Sequence, residues 1–191
     1  MIFKDSVIKK ICGVDEAGRG PIAGPVTSAA VILSPNFSVE ILDDSKKLSP
    51  LQRKKRAKII KEKALAWAVG WTWPAEIDKI NIHYATLLAM KRAICNLTIK
   101  PDIVYIDGKF VPAIDIICHA VVRGDTYIPC IQAASIIAKT TRDLWMERFA
   151  RIEPQYLFEK HKGYPTLQHR ELIKLHGLSV IHRRSFQINL S

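Results

Sequence analysis

Apolar and polar positions change their period several times along the chain, and each change predicts an element. Residues 7–15 and 25–33 are short runs rich in β-branched and small apolar side chains, which predict two strands. The glycine-rich loop between them is short enough to make them antiparallel neighbours. Ser49 and Pro50 mark a helix start, serine as cap and proline in the first turn, and the helix runs to about Lys63. Its apolar stripe is limited to Leu51, Ile59, Ile60 and neighbouring alanines, so most of its charges, Arg53 to Arg56 among them, are expected to be a solvated face. Residues 64–73 predict a third strand closed by Pro74. Residues 75–94 repeat apolar positions at helical spacing (Ile77, Ile80, Ala85, Leu88, Ala89) and predict a helix packed on the sheet. A short apolar strand at 103–106 ends in Asp107 and Gly108, and a fifth strand at 114–122 is broken by Arg123, Gly124 and Asp125. A long, largely apolar helix is expected over 128–152. The turn Lys162-Gly163-Tyr164-Pro165-Thr166 then offers Thr166 as the cap of a helix at 167–176, stopped by Gly177. A meander of three strands followed by strands alternating with helices predicts an α/β fold, a five-stranded mixed sheet flanked by helices.

Length and composition narrow this picture. With 191 residues, 48% of them apolar, the chain is expected to form one domain over 1–191, with a C-terminal helical part from about 153. A net charge of +11 points to a polyanionic partner, and nucleic acid fits best. Cys12, Cys95, Cys118 and Cys130 form no CxxC pair, which excludes a zinc knuckle or redox motif and predicts reduced, mostly buried thiols in the cytoplasm. The six histidines lack HExxH spacing, and no GxxxxGK[ST] loop is present, so a zinc hydrolase and a P-loop triphosphatase are both disfavoured. The N-terminus has no apolar signal region, and no run approaches the ~18 residues that span a bilayer.

The chemistry is concentrated where core elements stop. Asp15 and Glu16 follow an apolar run and lead into a turn with Gly18, Arg19 and Gly20. Neighbours in a strand point to opposite faces, so the pair converges only if the strand bends or ends, or if a cation bridges the two. Asp107 and Asp125 stand at the ends of two other strands, the places where ligand sites gather in open α/β sheets. Four such acids can meet in one cluster, which would repel itself without metal. Two Mg²⁺ or Mn²⁺ ions would turn it into a clamp for in-line phosphoryl displacement, one activating water and the other stabilising the leaving oxyanion. Arg19 supplies a rigid cationic fork suited to phosphate, between glycines that permit close backbone approach.

The string GVDEAGRGPIAGPV resembles the signature of the ribonuclease HII family. Further blocks in the same order extend the resemblance almost to the C-terminus: DDSKKLS at 43–49, NIHYATLLAM at 81–90, VYIDG at 104–108, RGD at 123–125, AASIIAKTTRD at 133–143, KGYPT at 162–166 and HRRSF at 182–186. The resemblance implies a ribonuclease H-like fold. It implies an endoribonuclease, active as a monomer, that cuts 5′ to a ribonucleotide in RNA/DNA hybrids and at single ribonucleotides in duplex DNA, leaving 3′-hydroxyl and 5′-phosphate ends. It places Asp15, Glu16, Asp107 and Asp125 on the metal-binding and catalytic acids. Gly18, Arg19 and Gly20 match the loop that senses the ribose 2′-hydroxyl, and Tyr164 matches the tyrosine that stacks on the next sugar. Ser45, Lys46, Lys139 and Arg142 are expected phosphate contacts, with Asp143 as an ion-pair partner. His83-Tyr84, Cys130 and Gln132 depart from the family pattern and bear only on helix packing.

Two other readings stay open. The sister ribonuclease HIII is disfavoured by Arg19 in the middle of Gly-Arg-Gly, and by the short stretch before the first strand. A non-catalytic hybrid-binding module would explain the charge, but it would not need four acids facing phosphate.

Overall fold

The computed structural model describes residues 9–42 and 48–189. Its core is a five-stranded sheet in the order β3-β2-β1-β4-β5. Strand β1 (Ile11–Ala17) pairs antiparallel with β2 (Val26–Ile32), which pairs antiparallel with β3 (Ala66–Thr72), so the expected meander forms one half of the sheet. On its other edge β1 runs parallel to β4 (Ile103–Asp107), and β4 runs parallel to β5 (Ile117–Val121). β1, β4 and β5 therefore all end on the same edge. β2 is buried at every position, as befits a strand covered on both faces.

Alternation along β1 divides the core in two. Cys12 and Val14 face one side and join Met90, Ala93 and Ile94 of helix α2 (Pro74–Cys95). Residues of odd number face helix α3 (Pro129–Phe149), which supplies Ala133, Ala134, Ile136, Ile137 and Ala138 to the opposite cluster with Ala29 and Val31. Gly13 lets α3 come that close: a Cβ there would overlap the backbone of Cys130 and Ile131. Helix α1 (Pro50–Lys63) packs through Ala57 and Ile60. It begins with the expected Ser49 cap, in a capping box completed by Gln52.

Some boundaries differ from the sequence expectation, for identifiable reasons. Pro74 opens α2 and does not close β3, because its missing N–H costs nothing in the first turn. The helix expected to run unbroken over 75–94 is interrupted at Asn81 (φ 63°, ψ 169°), whose side chain accepts from the backbone N–H groups of His83 (2.9 Å) and Tyr84 (3.3 Å) and so restarts the helix. β5 is shorter than 114–122, an edge strand with largely exposed side chains. Cys95 is exposed and Cys118 half-buried, so only Cys12 and Cys130 meet the expectation of burial; all four are free thiols. After α3, the short helix α4 (Phe158–His161) and helix α5 (Leu167–His176) pack with the tail over the end of the sheet, around Tyr156, Phe158 and Ile181. Thr166 caps α5 and Gly177 ends it, both as expected.

Candidate active site

The parallel register brings the acids together. Val14 lies opposite Ile106, so the next residues, Asp15 and Asp107, are neighbours on adjoining strands and face the same side of the sheet. Asp125 follows β5 in a single 3₁₀ turn, Gly124–Thr126, entered through Arg123 in the left-handed conformation (φ 58°). Its backbone N–H lies 3.4 Å from Asp107 Oδ1. One carboxylate oxygen from each of Asp15, Asp107 and Asp125 lies within 4.8 Å of the others. Asp15 and Asp125 are buried, with 5% and 4% of their surface exposed.

Glu16, the next residue of β1, is outside the trio whose carboxylate oxygens lie within 4.8 Å of one another. It still lines the same cavity, where its Oε1 lies 3.4 Å from Arg19 Nη1. Three of the four expected acids thus close on one another, and Glu16 stands beside them in the same cavity.

The electrostatics are those of a site short of positive charge. Burial pushes the Asp15 carboxyl well above the usual carboxylate range, and the charges of Glu16 and Asp107 push it further. A hydrogen bond from Ser135 and one from the Glu16 backbone N–H (2.7 Å) pull the other way and do not prevail. Glu16 is likewise raised, by burial first, with Arg19 lowering it and Asp107 raising it. Like charges on adjoining strands repel. A divalent cation removes that repulsion, and an all-oxygen donor set suits Mg²⁺ or Mn²⁺ better than softer metals. The residues present therefore fit a metal.

The cavity over the acids has a volume of about 260 Å³ and is lined further by Gly18, Arg19, Gly20, Arg53, Ser135, Lys139 and Tyr164. Tyr164 is 41% exposed at the cavity wall, with Lys139 Nζ 5.7 Å from the centre of its ring. Lys139 is also paired with Asp143 at 2.9 Å, as expected of that aspartate. A second, adjoining cavity shares Tyr164 and is lined by Arg53, Lys54, Lys139, Lys160 and Lys162 together with Asp143, Glu147 and Glu159, and three of its lysines are paired with those acids.

Arg142 is a correction. It is fully buried, and its guanidinium donates to the carbonyls of Pro25 (2.9 Å), Lys162 (3.0 Å) and Ala23 (3.1 Å), so it holds loops and presents nothing to a phosphate. Ser45 and Lys46 lie outside the described residues. Arg53 and Ser135 went unpredicted. In sequence Arg53 reads as part of a solvated helix face, and Ser135 as one serine in an apolar helix. The signal for Ser135 was its spacing: residues 135, 139, 142 and 146 fall on one face of α3, the face that meets the end of β1.

The chain matches the family model of ribonuclease HII over residues 12–189. It is 52% identical over 176 residues to the ribonuclease HII of Idiomarina loihiensis, covering 92% of this chain and 94% of that one. Identity to the ribonuclease HII of Vibrio parahaemolyticus is 53% over 177 residues, covering 93% and 84%. Among solved structures it is similar to ribonuclease H2 from Pyrococcus horikoshii, with a TM-score of 0.78 at 27% identity over 94% of both chains. The fold is shared with a ribonuclease HIII described in complex with Mn²⁺ (TM-score 0.73, 20% identity, 93% of this chain and 67% of that one). Similarity to bacterial ribonucleases HII at half of all positions, sustained over nine-tenths of its length and carried by the fold that converges these aspartates, means that the chain belongs to the ribonuclease HII family, metal-dependent endoribonucleases that act on nucleic acid.

Proposed function

We propose that the chain hydrolyses the phosphodiester on the 5′ side of a ribonucleotide, in RNA/DNA hybrids and at single ribonucleotides embedded in duplex DNA, leaving 3′-hydroxyl and 5′-phosphate ends. The observation that carries this reading is the convergence of Asp15, Asp107 and Asp125 at the floor of a cavity whose walls are Gly18–Gly20 on one side and Tyr164 on the other. Asp15, Asp107 and Asp125 would hold Mg²⁺ or Mn²⁺, with Glu16 beside them. Bound there as a pair, the ions supply charge neutralisation at the phosphate and a more acidic water.

The other groups bind and orient. Gly20 carries no side chain between the loop backbone and the cavity; the nearest heavy atom to a Cβ built there is Tyr164 Cε1, at 3.7 Å. A ribose can thus approach the peptide groups of 18–20, and a 2′-hydroxyl can exchange hydrogen bonds with them. Tyr164 presents a half-exposed ring for the sugar of the following nucleotide, and Lys139 beside it is placed to meet the backbone phosphate. Arg19 offers a second cation at the mouth, and Ser45 and Lys46 complete the proposed phosphate contacts. We place the chain in the cytoplasm, as a monomer acting as one catalytic domain over 1–191. Its four free thiols suit a reducing compartment. Among the described residues no helix is long and apolar enough to cross a membrane.

Tyr164 separates recognition from hydrolysis. Stacking on an aromatic ring is worth roughly 1–3 kcal/mol by alanine substitution. Tyr164→Ala should lose most of its activity at a single embedded ribonucleotide and less on a continuous hybrid, whereas Tyr164→Phe should keep the stacking share. Equal losses on both substrates from a variant that melts early would instead make Tyr164 a packing residue.

A further inference from the structure

Two adjacent residues of the C-terminal tail are tied to the two walls, Arg183 directly to the 18–24 loop and His182 through His169 to the turn that carries Tyr164. Arg183 is fully buried, although no carboxylate bonds its guanidinium among the described residues. Its Nε donates to Gly24 O (2.9 Å), Nη1 to Pro21 O (2.6 Å) and Arg19 O (3.0 Å), and Nη2 to Gly18 O. The tail backbone pairs with the same loop, through Arg183 N–H to Ile22 O and Gly24 N–H to Ile181 O, both 2.9 Å. Burial pulls the guanidinium down to about 9, with the Arg142 charge adding to the effect, which leaves it cationic at neutral pH. A cation this buried is costly unless its donors are satisfied, and here carbonyl oxygens satisfy them.

Those bonds set the polarity of the loop. In a planar trans peptide the C=O of one residue and the N–H of the next point in opposite directions. With the carbonyls of Gly18 and Arg19 drawn back onto Arg183, the N–H groups of Arg19 and Gly20 are turned away from it, toward the cavity that Gly18, Arg19 and Gly20 line.

His182 reaches the other wall. Its Nδ1 accepts from Ser179 N–H at 2.8 Å, so its proton is on Nε2, which donates to His169 Nε2 at 3.0 Å. His169 must then carry its proton on Nδ1, which donates to Tyr164 O at 2.8 Å. Both rings are buried, and each nitrogen has a partner only in this tautomer pair. The two walls are themselves joined by Ile22 N–H to Gly163 O at 2.9 Å.

We propose that His182 and Arg183 are positioning residues for ribonucleotide recognition: Arg183 fixes the peptide orientation of the Gly18–Gly20 loop, and His182, through His169, fixes the turn that carries Tyr164. This rests on the reading that those two walls recognise the ribonucleotide. Neither residue touches the acids, so both act on substrate choice and orientation and leave metal binding alone.

The test uses the full chain with Mn²⁺ and three variants. Arg183→Lys keeps the charge but cannot fork to four carbonyls. His182→Asn keeps an acceptor for Ser179 but cannot reach His169, while His182→Gln keeps a donor at the Nε2 position. Hydrogen exchange is read on peptides covering 18–25 and 161–166, with β2 and β3 as internal controls, alongside kcat and KM on a single-ribonucleotide duplex and on a continuous hybrid. Arg183→Lys should speed exchange in 18–25, and His182→Asn in 161–166, with β2 and β3 unchanged. Each should lower kcat at the single ribonucleotide on the order of 100-fold, as small misplacements at a reacting centre do. KM should change little, and His182→Gln should restore most of what His182→Asn loses. Unchanged exchange in both turns, or acceleration shared by β2 and β3, would overturn the positioning role. Faster exchange confined to the two turns with substrate preference intact would instead overturn the reading that these turns recognise the ribonucleotide.

Discussion

Gly18 and Gly20 flank the same arginine, yet the structure requires glycine at each for a different reason, and alanine at each should therefore fail differently. Gly18 has a φ of +93°, and a Cβ there would overlap Nε of the buried Arg142, lying 2.5 Å from its Cδ and 2.7 Å from Pro25 O. A non-glycine residue in left-handed backbone costs about 1–2 kcal/mol. Forcing extra volume into a packed core adds about 1–3 kcal/mol, and Arg142 cannot swing aside without abandoning its carbonyls. The sum is about 2–5 kcal/mol, and for a chain of this size each kcal/mol lowers Tm by about 2–4 °C. Gly18→Ala should thus melt roughly 4–20 °C early. At Gly20 the nearest atom to the new methyl is 3.7 Å away on Tyr164, an ordinary contact. Gly20→Ala should keep its stability to within about 0.5 kcal/mol of the parent. Its methyl would, however, stand between the loop backbone and the incoming ribose, and cleavage at an embedded ribonucleotide should fall roughly 10- to 100-fold. Thermal melts paired with single-turnover cleavage check both. A Gly18→Ala protein as stable as the parent would refute the packing argument, and a fully active Gly20→Ala would refute the approach of the ribose to this loop.

Asp107→Asn should nearly abolish cleavage while leaving duplex binding in place, because it would remove a proposed metal ligand and no cation. In metal-free buffer it should also melt no earlier than the parent, since it relieves repulsion on Asp15; early melting would make Asp107 structural. Changing Lys139 to Ala should flatten the plot of log affinity against log salt by roughly 1 if it neutralises one phosphate, and an unchanged slope would confine it to its pair with Asp143. Burial pushes His169 down to about 3 and His182 to about 4 from an ordinary 6.5. The unfolded chain therefore takes up these protons first, so their contribution to stability is full above pH 6.5 and is lost as pH falls toward 4 and 3, by at most about 1.4 kcal/mol per unit and ring. Asp15 and Glu16 carry the opposite sign. The measurement is therefore the difference in Tm between the parent and His182→Gln from pH 7 to 5, and a difference that does not change with pH would contradict the neutral pair.

The sequence carried the meander, the capped helix α1 and the acid at the end of β4 because each depends on neighbours in the chain: a proline beside a serine, or an apolar run stopped by Asp107 and Gly108. It also exposed the ordered series of motifs from which a ribonuclease H-like site could be expected. Which acids touch was not local. Asp15 and Asp107 meet because Val14 pairs with Ile106 across 92 positions of chain, and β1 runs two residues further than the glycines suggested, carrying Glu16 into the same cavity. Arg142 illustrates the same limit from the other side. A cation in a lysine- and arginine-bearing helix looks like a phosphate contact until the packing of α3 against β1 and the loop at 23–25 turns it inward. The roles of His182 and Arg183 were equally hidden, since their partners at 18–24 and at 169 lie on other segments.

The central claim is metal-dependent cleavage on the 5′ side of a ribonucleotide, and one cut map tests it most directly. A DNA duplex with a single internal ribonucleotide, labelled at either end, is incubated with the full chain in chelator, in Mg²⁺ and in Mn²⁺, beside an all-DNA duplex of the same sequence. The account predicts one cut 5′ to the ribonucleotide, with a 3′-hydroxyl on one product and a 5′-phosphate on the other, in either metal, and none in chelator or on the all-DNA duplex. A cut 3′ to the ribonucleotide, a cyclic phosphate end, cleavage that persists in chelator, or equal cutting of the all-DNA duplex would contradict it.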